Sequence, residues 1–258
     1  MTYPNKEIIS GMLKTRYMGK NIVCRDTVDS TNNLAKELGA AGAKSGTLVI
    51  CREQTKGRGR RGRSFISCDG TLCMSVIYRP DTATALYPRY SLATPVAVAR
   101  ALCTLGVNAL IKWPNDIQSG GKKLCGILHE GVFMPNGESF IVCGIGVNVG
   151  ELADDEEVRK IATSLLLETG RHEKREEAAA SILNELEACY DMCSTDRTHN
   201  MLMEEYKKLS SVLGKTVTIK ADTDIMGRVL DFDPLGRIII ETDDGTLAFN
   251  SGDVSLRC

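Results

Sequence analysis

The chain has no stretch approaching the roughly 20 consecutive apolar residues that a membrane-spanning helix requires. Residues Met1 to Asn21 are interrupted by Pro4, Asn5, Lys6 and Glu7 and hold no signal-like apolar run. Membrane and secretory classes are set aside on that basis, and a cytoplasmic location is expected. An excess of one charge is also missing. The 32 basic and 33 acidic residues leave a net charge of -1, which argues against generic binding to nucleic acid or an anionic surface. Metal-ligand spacing is absent too. Ten cysteines are present, but none forms a Cys-x-x-Cys pair, and no two histidines have ligand spacing. They sit in apolar runs such as Leu72-Cys73-Met74 and Ile141-Val142-Cys143 and read as reduced thiols, not as a zinc or disulfide framework. No internal repeat or low-complexity segment is evident.

What is present is ordinary globular material. The 258 residues, 43% hydrophobic and 25% charged, allow one large domain, or one with a small appendage. Ser30 precedes a helical stretch, Thr31 to Leu38, that follows a strand at Ile22 to Arg25, and the serine reads as its cap. Strands are expected over residues 46–54, 71–78, 110–113, 124–128 and 140–149, and helices over 90–105 and 174–193. Asn115-Asp116, Gly120-Gly121 and Pro135-Asn136-Gly137 mark turns, and residues 151–157 a solvated connector. After one further helix the pattern changes near Leu213 to short strands at 216–220, 225–232, 238–241 and 247–250, which predicts a small barrel-like module.

Between two of the strong strands, Lys56, Arg58, Arg60, Arg61 and Arg63 place five positive charges in eight residues, interleaved with Gly57, Gly59 and Gly62. Such a segment must be a loop, and a flexible one. A solvated basic loop, a nucleic-acid contact and a lid over a nucleotide's phosphates are all open readings. Its position inside a core sheet favours the lid. It is not a Walker loop, because no Gly-Lys-Ser or Gly-Lys-Thr ends it.

The loop is one of several strings that follow each other in order: Asp29-Ser30-Thr31-Asn32, Gln54, Gly57 to Arg63, Lys112-Trp113-Pro114-Asn115-Asp116, Lys122 to Leu128, and Gly144-Ile145-Gly146-Val147-Asn148. The ordered set resembles the biotin–protein ligase family from about Asn5 onward. The resemblance implies an α+β fold, with a mixed central sheet and flanking helices of the class II synthetase-like biotin/lipoate ligase kind. Residues 1–212 would form the catalytic unit and residues 213–258 an SH3-like β-barrel. It further implies that biotin and ATP are substrates, with Mg2+, that a biotin carboxyl carrier protein is the acceptor, and that a homodimer through the central sheet is plausible. Only about two dozen residues precede the first strand, too few for the winged helix-turn-helix of repressor relatives, so no DNA partner is expected.

By the same resemblance Lys123 bridges the biotin carboxylate and the α-phosphate, and Lys122 is its expendable neighbour on the opposite strand face. Arg58 and Arg60 close over biotin and phosphates. Ser30, Thr31, Asn32 and Gln54, with Gly57 and Gly59, serve the biotin head. Arg61, Lys112, Trp113, Asn115, Asn148 and Arg257 serve the nucleotide, with Asn148 reading adenine, Arg257 meeting the triphosphate and Lys112 also belonging to the catalytic set. Trp113, Ile127 and Leu128 are candidates for the pocket wall. Asp116 is expected to hold magnesium or to orient the acceptor amine, whose pKa near 10.4 calls for a proton acceptor. Phe65 stands where many relatives carry tryptophan, which keeps an aromatic body without the indole donor. The rival readings are a lipoate–protein ligase and a non-catalytic RNA-binding protein.

Overall fold

A computed structural model describes residues 4–63, 65, 67–68, 70–220, 224–250 and 252–256. Its larger sheet has seven strands: β1 (Ile22–Val28), β2 (Thr47–Gln54), β3 (Thr71–Tyr78), β4 (Leu110–Lys112), β5 (Asp116–Ser119), β6 (Lys122–Phe133) and β7 (Ser139–Asn148). They lie in the order β1-β2-β3-β7-β6-β5-β4. Only β1 and β2 pair in parallel; the other neighbours are antiparallel.

Strand alternation gives the sheet two unlike faces. Leu72, Met74 and Val76 of β3, with Ile141, Cys143, Ile145 and Val147 of β7, enter the main core. There they meet α3 (Pro88–Thr104), α6 (Arg175–Asp191) and α7 (Asp196–Leu209). Tyr78, Tyr90 and Tyr190 cluster in this layer with ring centroids 4.6 to 5.2 Å apart, contacts worth roughly 0.5–1.5 kcal/mol each beyond their burial. The intervening residues Val49, Ile77, Phe140 and Val142 face the other way and form a smaller core with Ala35 of α2 (Thr31–Ala40). That single helix covers only part of its face. At its N-terminal start the strands carry Ser75, Gly126, Gly144 and Gly146, and the face is left open.

Several elements differ from the sequence expectation. Residues Lys6–Met12 form a helix, α1, because Asn5 Oδ1 accepts the amide protons of Glu7 and Ile8. The polar cluster expected to break the chain is instead its cap. The turn expected at Asn115-Asp116 ends at Asn115, Asp116 already belonging to β5, and β6 runs to Phe133, five residues past its expected end. Ser30 does occupy the N-cap of α2, but its side chain makes no capping hydrogen bond. The amide of Thr31 is satisfied by Gln54 Oε1 at 2.7 Å instead.

The second sheet contains β8 (Thr216–Lys220), β9 (Ile225–Phe232), β10 (Ile238–Thr242), β11 (Gly245–Phe249) and β12 (Asp253–Leu256), all antiparallel, in the order β11-β10-β9-β8-β12. This is the SH3-like unit expected at the C-terminus. Among the contacts that fasten it to the rest are the following. Trp113 Nε1 donates to the Gly236 carbonyl at 2.9 Å, Tyr206 meets Phe232 edge-on at 5.1 Å, and His199 Nε2 lies 2.8 Å from the Pro234 carbonyl. No helix among the described residues is long and apolar enough to cross a membrane.

His199 is buried, and its Nδ1 has no hydrogen-bond partner among the described residues. Burial above all, with the nearby Arg89 guanidinium, holds its pKa below the ordinary 6.5, against the raising influence of the Pro234 carbonyl and Asp196. Below about pH 6.5 the unfolded chain therefore binds more protons at this site than the folded chain does, so stability falls as pH falls. The slope is limited to roughly 1.4 kcal/mol per pH unit for one proton. Between about pH 7 and 5.5, the urea-unfolding stability of the parent should therefore drop more than that of His199→Gln; parallel losses would exclude this coupling.

Candidate active site

On the face that α2 leaves bare lies an open cleft of about 770 Å3. Its floor exists because β7 carries glycine at alternate positions. A Cβ on Gly144 would fall 2.2 Å from Asn32 Oδ1, and one on Gly146 would fall 2.3 Å from the Phe65 ring. Of the residues singled out in the sequence, Ser30, Thr31, Asn32, Gln54, Arg58, Gly59, Arg60, Asn115, Asp116, Lys123, Ile127 and Leu128 line this cleft, together with Phe65.

One end is a network of polar side chains that runs from Gln54 to the Glu130 carboxylate. Gln54 Oε1 accepts from both the amide and the hydroxyl of Thr31, at 2.7 and 3.0 Å. The Ser75 hydroxyl lies 2.7 Å from Thr31 Oγ1 and donates to Asn32 Oδ1 at 2.6 Å. Asn32 Nδ2 donates to Glu130 Oε2 at 2.8 Å and to the Leu128 carbonyl at 3.3 Å. Ser75 and Glu130 were not anticipated. The available signals were faint: a serine inside the apolar run of β3, and a carboxylate two residues beyond Leu128 on the same strand face.

The other end holds a lysine–carboxylate pair. Lys123 Nζ sits 2.7 Å from Asp116 Oδ1, with both side chains part-exposed. This pairing depends on a β-bulge. Ile117 pairs with Cys125 and Gln118 with Lys123, so Leu124 has no partner on β5. The extra residue reverses the alternation, which puts Lys123 on the cleft face with Asp116 and Gly126. Lys122 is turned away and donates to the Arg159 carbonyl at 2.9 Å.

The basic loop arches over the cleft, tied at its base. The amides of Phe65 and Gly59 donate to the carbonyls of Gly57 and Arg63, at 2.9 and 2.7 Å. Arg60–Gly62 form one 3-10 turn, in which Arg61 has φ 54°. Arg58 donates to Asn33 Oδ1 and Glu130 Oε1, and Arg60 donates to Asn115 Oδ1 at 3.1 Å. Arg61 turns outward instead and donates to the Lys220 carbonyl of β8 at 3.1 Å.

Past Lys123 and Phe65 the cleft continues into a second, more apolar groove of about 710 Å3, lined by Asn148, Leu152, Ala153, Val158 and Ile161. This groove is bordered by α4 (Glu156–Ile161), which begins at the end of the connector expected over residues 151–157. Asn148 Nδ2 donates to the Thr163 carbonyl at 2.9 Å. Lys123, Phe65, Gly126 and Gly146 border both lobes, so the lysine stands at their junction.

Three of the residues assigned to the nucleotide lie outside both lobes. Lys112 pairs with Asp116 across the β4–β5 turn without lining the cleft. Trp113 is buried against the C-terminal unit, and Arg61 is committed to that unit as well. Arg257 falls outside the described residues. Among the described residues no group of three or more His, Cys, Asp or Glu side chains could hold a metal.

The glycine floor is directly testable. Gly144→Ala should force Asn32 aside, at a cost of about 1–3 kcal/mol for overpacking, and so weaken binding of the expected biotin about tenfold or more. Calorimetric titration checks this; unchanged affinity would show that the Asn32 end of the cleft does not meet the ligand.

The sequence matches the family described as Biotin/lipoate A/B protein ligase over residues 24–148, and that described as Biotin protein ligase C terminal domain over residues 212–257. It is 34% identical to the bifunctional ligase/repressor BirA of Bacillus subtilis over 252 residues, which cover 95% of this chain and 76% of that protein. It is 32% identical to the biotin–[acetyl-CoA-carboxylase] ligase of Mycobacterium tuberculosis over 234 residues, 87% of this chain and 85% of that one. Among solved structures, the biotin protein ligase of Aquifex aeolicus in complex with biotin and ATP superposes with a TM-score of 0.79 at 28% identity, covering 92% of this chain and 99% of that chain. Cleft, fold and relatives agree, and the chain belongs to the biotin–protein ligase family.

Proposed function

We propose that this chain activates biotin with ATP and transfers it to a lysine of a biotin carboxyl carrier protein, with residues 1–212 as the catalytic unit and 213–258 as the appended one. The observation that carries the reading is the place of Lys123, at the junction of a polar-ended lobe and a more apolar one. A carboxylate from the first lobe and an α-phosphate from the second meet at its ammonium group.

In the first step a biotin carboxylate oxygen bonds to the α-phosphorus, the bond to the β-phosphate breaks, and pyrophosphate leaves. Both reactants are anions, so fixed cations aimed at the developing charge supply the catalysis. Lys123 spans the two reacting groups. Arg58 and Arg60 close over them and keep water from the mixed anhydride. Gly57 and Gly59 let the loop backbone come close. Ser30, Thr31, Asn32 and Gln54 hold the ureido ring. With its nitrogen engaged, Asn148 offers adenine its carbonyl oxygen, an acceptor for the exocyclic amine. In the second step the carrier lysine's amine attacks the acyl carbon, an amide forms and AMP leaves. Asp116 orients that amine and takes its proton.

A magnesium site built by the protein does not fit here. Asp116 is the one carboxylate lining the cleft among the described residues, and an oxygen of it is paired with Lys123. Magnesium is better assigned to ATP's own phosphates, its usual partners in such sites. The cytoplasm suits the reaction, since nine described cysteines are unpaired and ATP is a substrate. For a homodimer through the central sheet, β1 is an edge strand with a free outer side among the described residues.

A lipoate ligase shares the adenylation chemistry, whereas an RNA-binding role is disfavoured because Arg58, Arg60 and Arg63 line a cleft. Pyrophosphate release with Mg-ATP should depend on biotin and not on lipoate or octanoate. Mass spectrometry of a biotin carboxyl carrier domain should then show the gain of one biotin on one lysine. Release driven by lipoate alone, or a carrier left unmodified, would overturn the reading.

A further inference from the structure

The cleft's cations rest on internal acceptors, and one of these, Glu130, serves two parts of the site at once. It lies on β6, on the strand face that also carries Gly126 and Leu128. Its Oε2 accepts from Asn32 Nδ2 at 2.8 Å. Its Oε1 accepts from Lys36 Nζ at 3.1 Å and from Arg58 Nη2 at 2.9 Å. One carboxylate thus ties the start of α2 to the basic loop.

The consequence for Asn32 follows from hydrogen-bond chemistry. A carboxylate and a backbone carbonyl only accept. Glu130 and Leu128 therefore claim both hydrogens of the Asn32 amide, and its oxygen must turn the other way. That oxygen takes the Ser75 hydroxyl on one lone pair and keeps a second for a ligand. A site so arranged offers an acceptor and no donor at this point. It suits the N–H of a cyclic urea, and it leaves a ring without N–H unmatched.

We propose that Glu130 is a positioning residue for biotin: it fixes the orientation of the Asn32 amide. This rests on the functional reading above. Burial is the largest single influence on the Glu130 carboxyl and pushes its pKa up, but the Asn32 amide, Lys36 and Arg58 together outweigh it and hold the pKa below the usual carboxylate value. The group is therefore an anion and purely an acceptor at neutral pH.

The test compares biotin-dependent pyrophosphate release by the parent, Glu130→Gln, Asn32→Ala and the double variant, with melting temperatures to show that each is folded. Glutamine offers both a donor and an acceptor, so the Asn32 amide loses its enforced orientation. The biotin KM of Glu130→Gln should rise about tenfold, the scale of one charge-assisted hydrogen bond. The ATP KM should stay within about twofold, because the nucleotide lobe is untouched. In the Asn32→Ala background the same change should shift biotin KM by less than about twofold, since residues acting through one another are not additive. A biotin KM unchanged in Glu130→Gln, or an equal rise in both backgrounds, would overturn the proposal. If the glutamine variant does not fold, Glu130→Asp, which keeps the charge but draws it back, takes its place with the same outcomes. A parent without biotin-dependent release would fail the functional reading itself; an active parent with an indifferent Glu130→Gln would fail this inference alone.

Discussion

The site turns on one extra residue in one strand. Leu124 has no partner on β5, and the alternation of β6 is reversed on either side of it. Without that bulge the face shared with Gly126 would present Lys122, and Lys123 would point toward the helices. With it, Asp116, Gly126 and Lys123 stand on one face where two lobes meet. The Lys123–Asp116 pair is part-exposed, and pairs of that kind contribute only about 0–1 kcal/mol to stability. Its significance lies in where it holds the ammonium group, over a glycine whose Cβ would sit 3.2 Å from Lys123 Nζ.

A cleft that must join two anions concentrates positive charge, and in the unliganded state those charges repel each other. The structure answers this by giving cations of the site neutral or acidic partners that a substrate can replace. Lys123 rests on Asp116, Arg58 on Glu130 and Asn33, and Arg60 on Asn115. These partners stand on β5, β6, α2 and the β4–β5 turn, so the donors are aimed before a ligand arrives. Such preorganisation in a partly dry site is the usual source of electrostatic catalysis. The C-terminal unit joins the arrangement through Arg61, which carries the loop's outer side onto β8.

Much of this was legible in the residues. The Gly144-Ile145-Gly146-Val147-Asn148 string stood in the ordered set that carries the resemblance, and the basic loop between two strong strands and the change of pattern near Leu213 follow from local chemistry. Other features were hidden because the sequence carries local rules and not partners. Asn115-Asp116 has turn composition, but β6 lies alongside and recruits Asp116 into β5. A bulge leaves no mark in composition. Trp113, the chain's one tryptophan, looked like a pocket wall, but its indole finds an acceptor in the C-terminal unit. Ser30 has cap chemistry, yet Gln54, 23 residues away in sequence from the amide it accepts, does the capping. Glu130 was missed because its value comes from three donors on two separate segments.

The most direct test of this account is to compare Lys122→Ala with Lys123→Ala in single-turnover formation of biotinyl-adenylate from biotin and ATP. Neighbours in sequence and alike in charge, the two lysines differ in the face the bulge gives them. The account predicts that Lys122→Ala stays within a few-fold of the parent, while Lys123→Ala loses about 10²–10³, the scale of removing one preorganised donor from the reacting charge. Equal losses in the two variants, or a larger loss at Lys122, would contradict it.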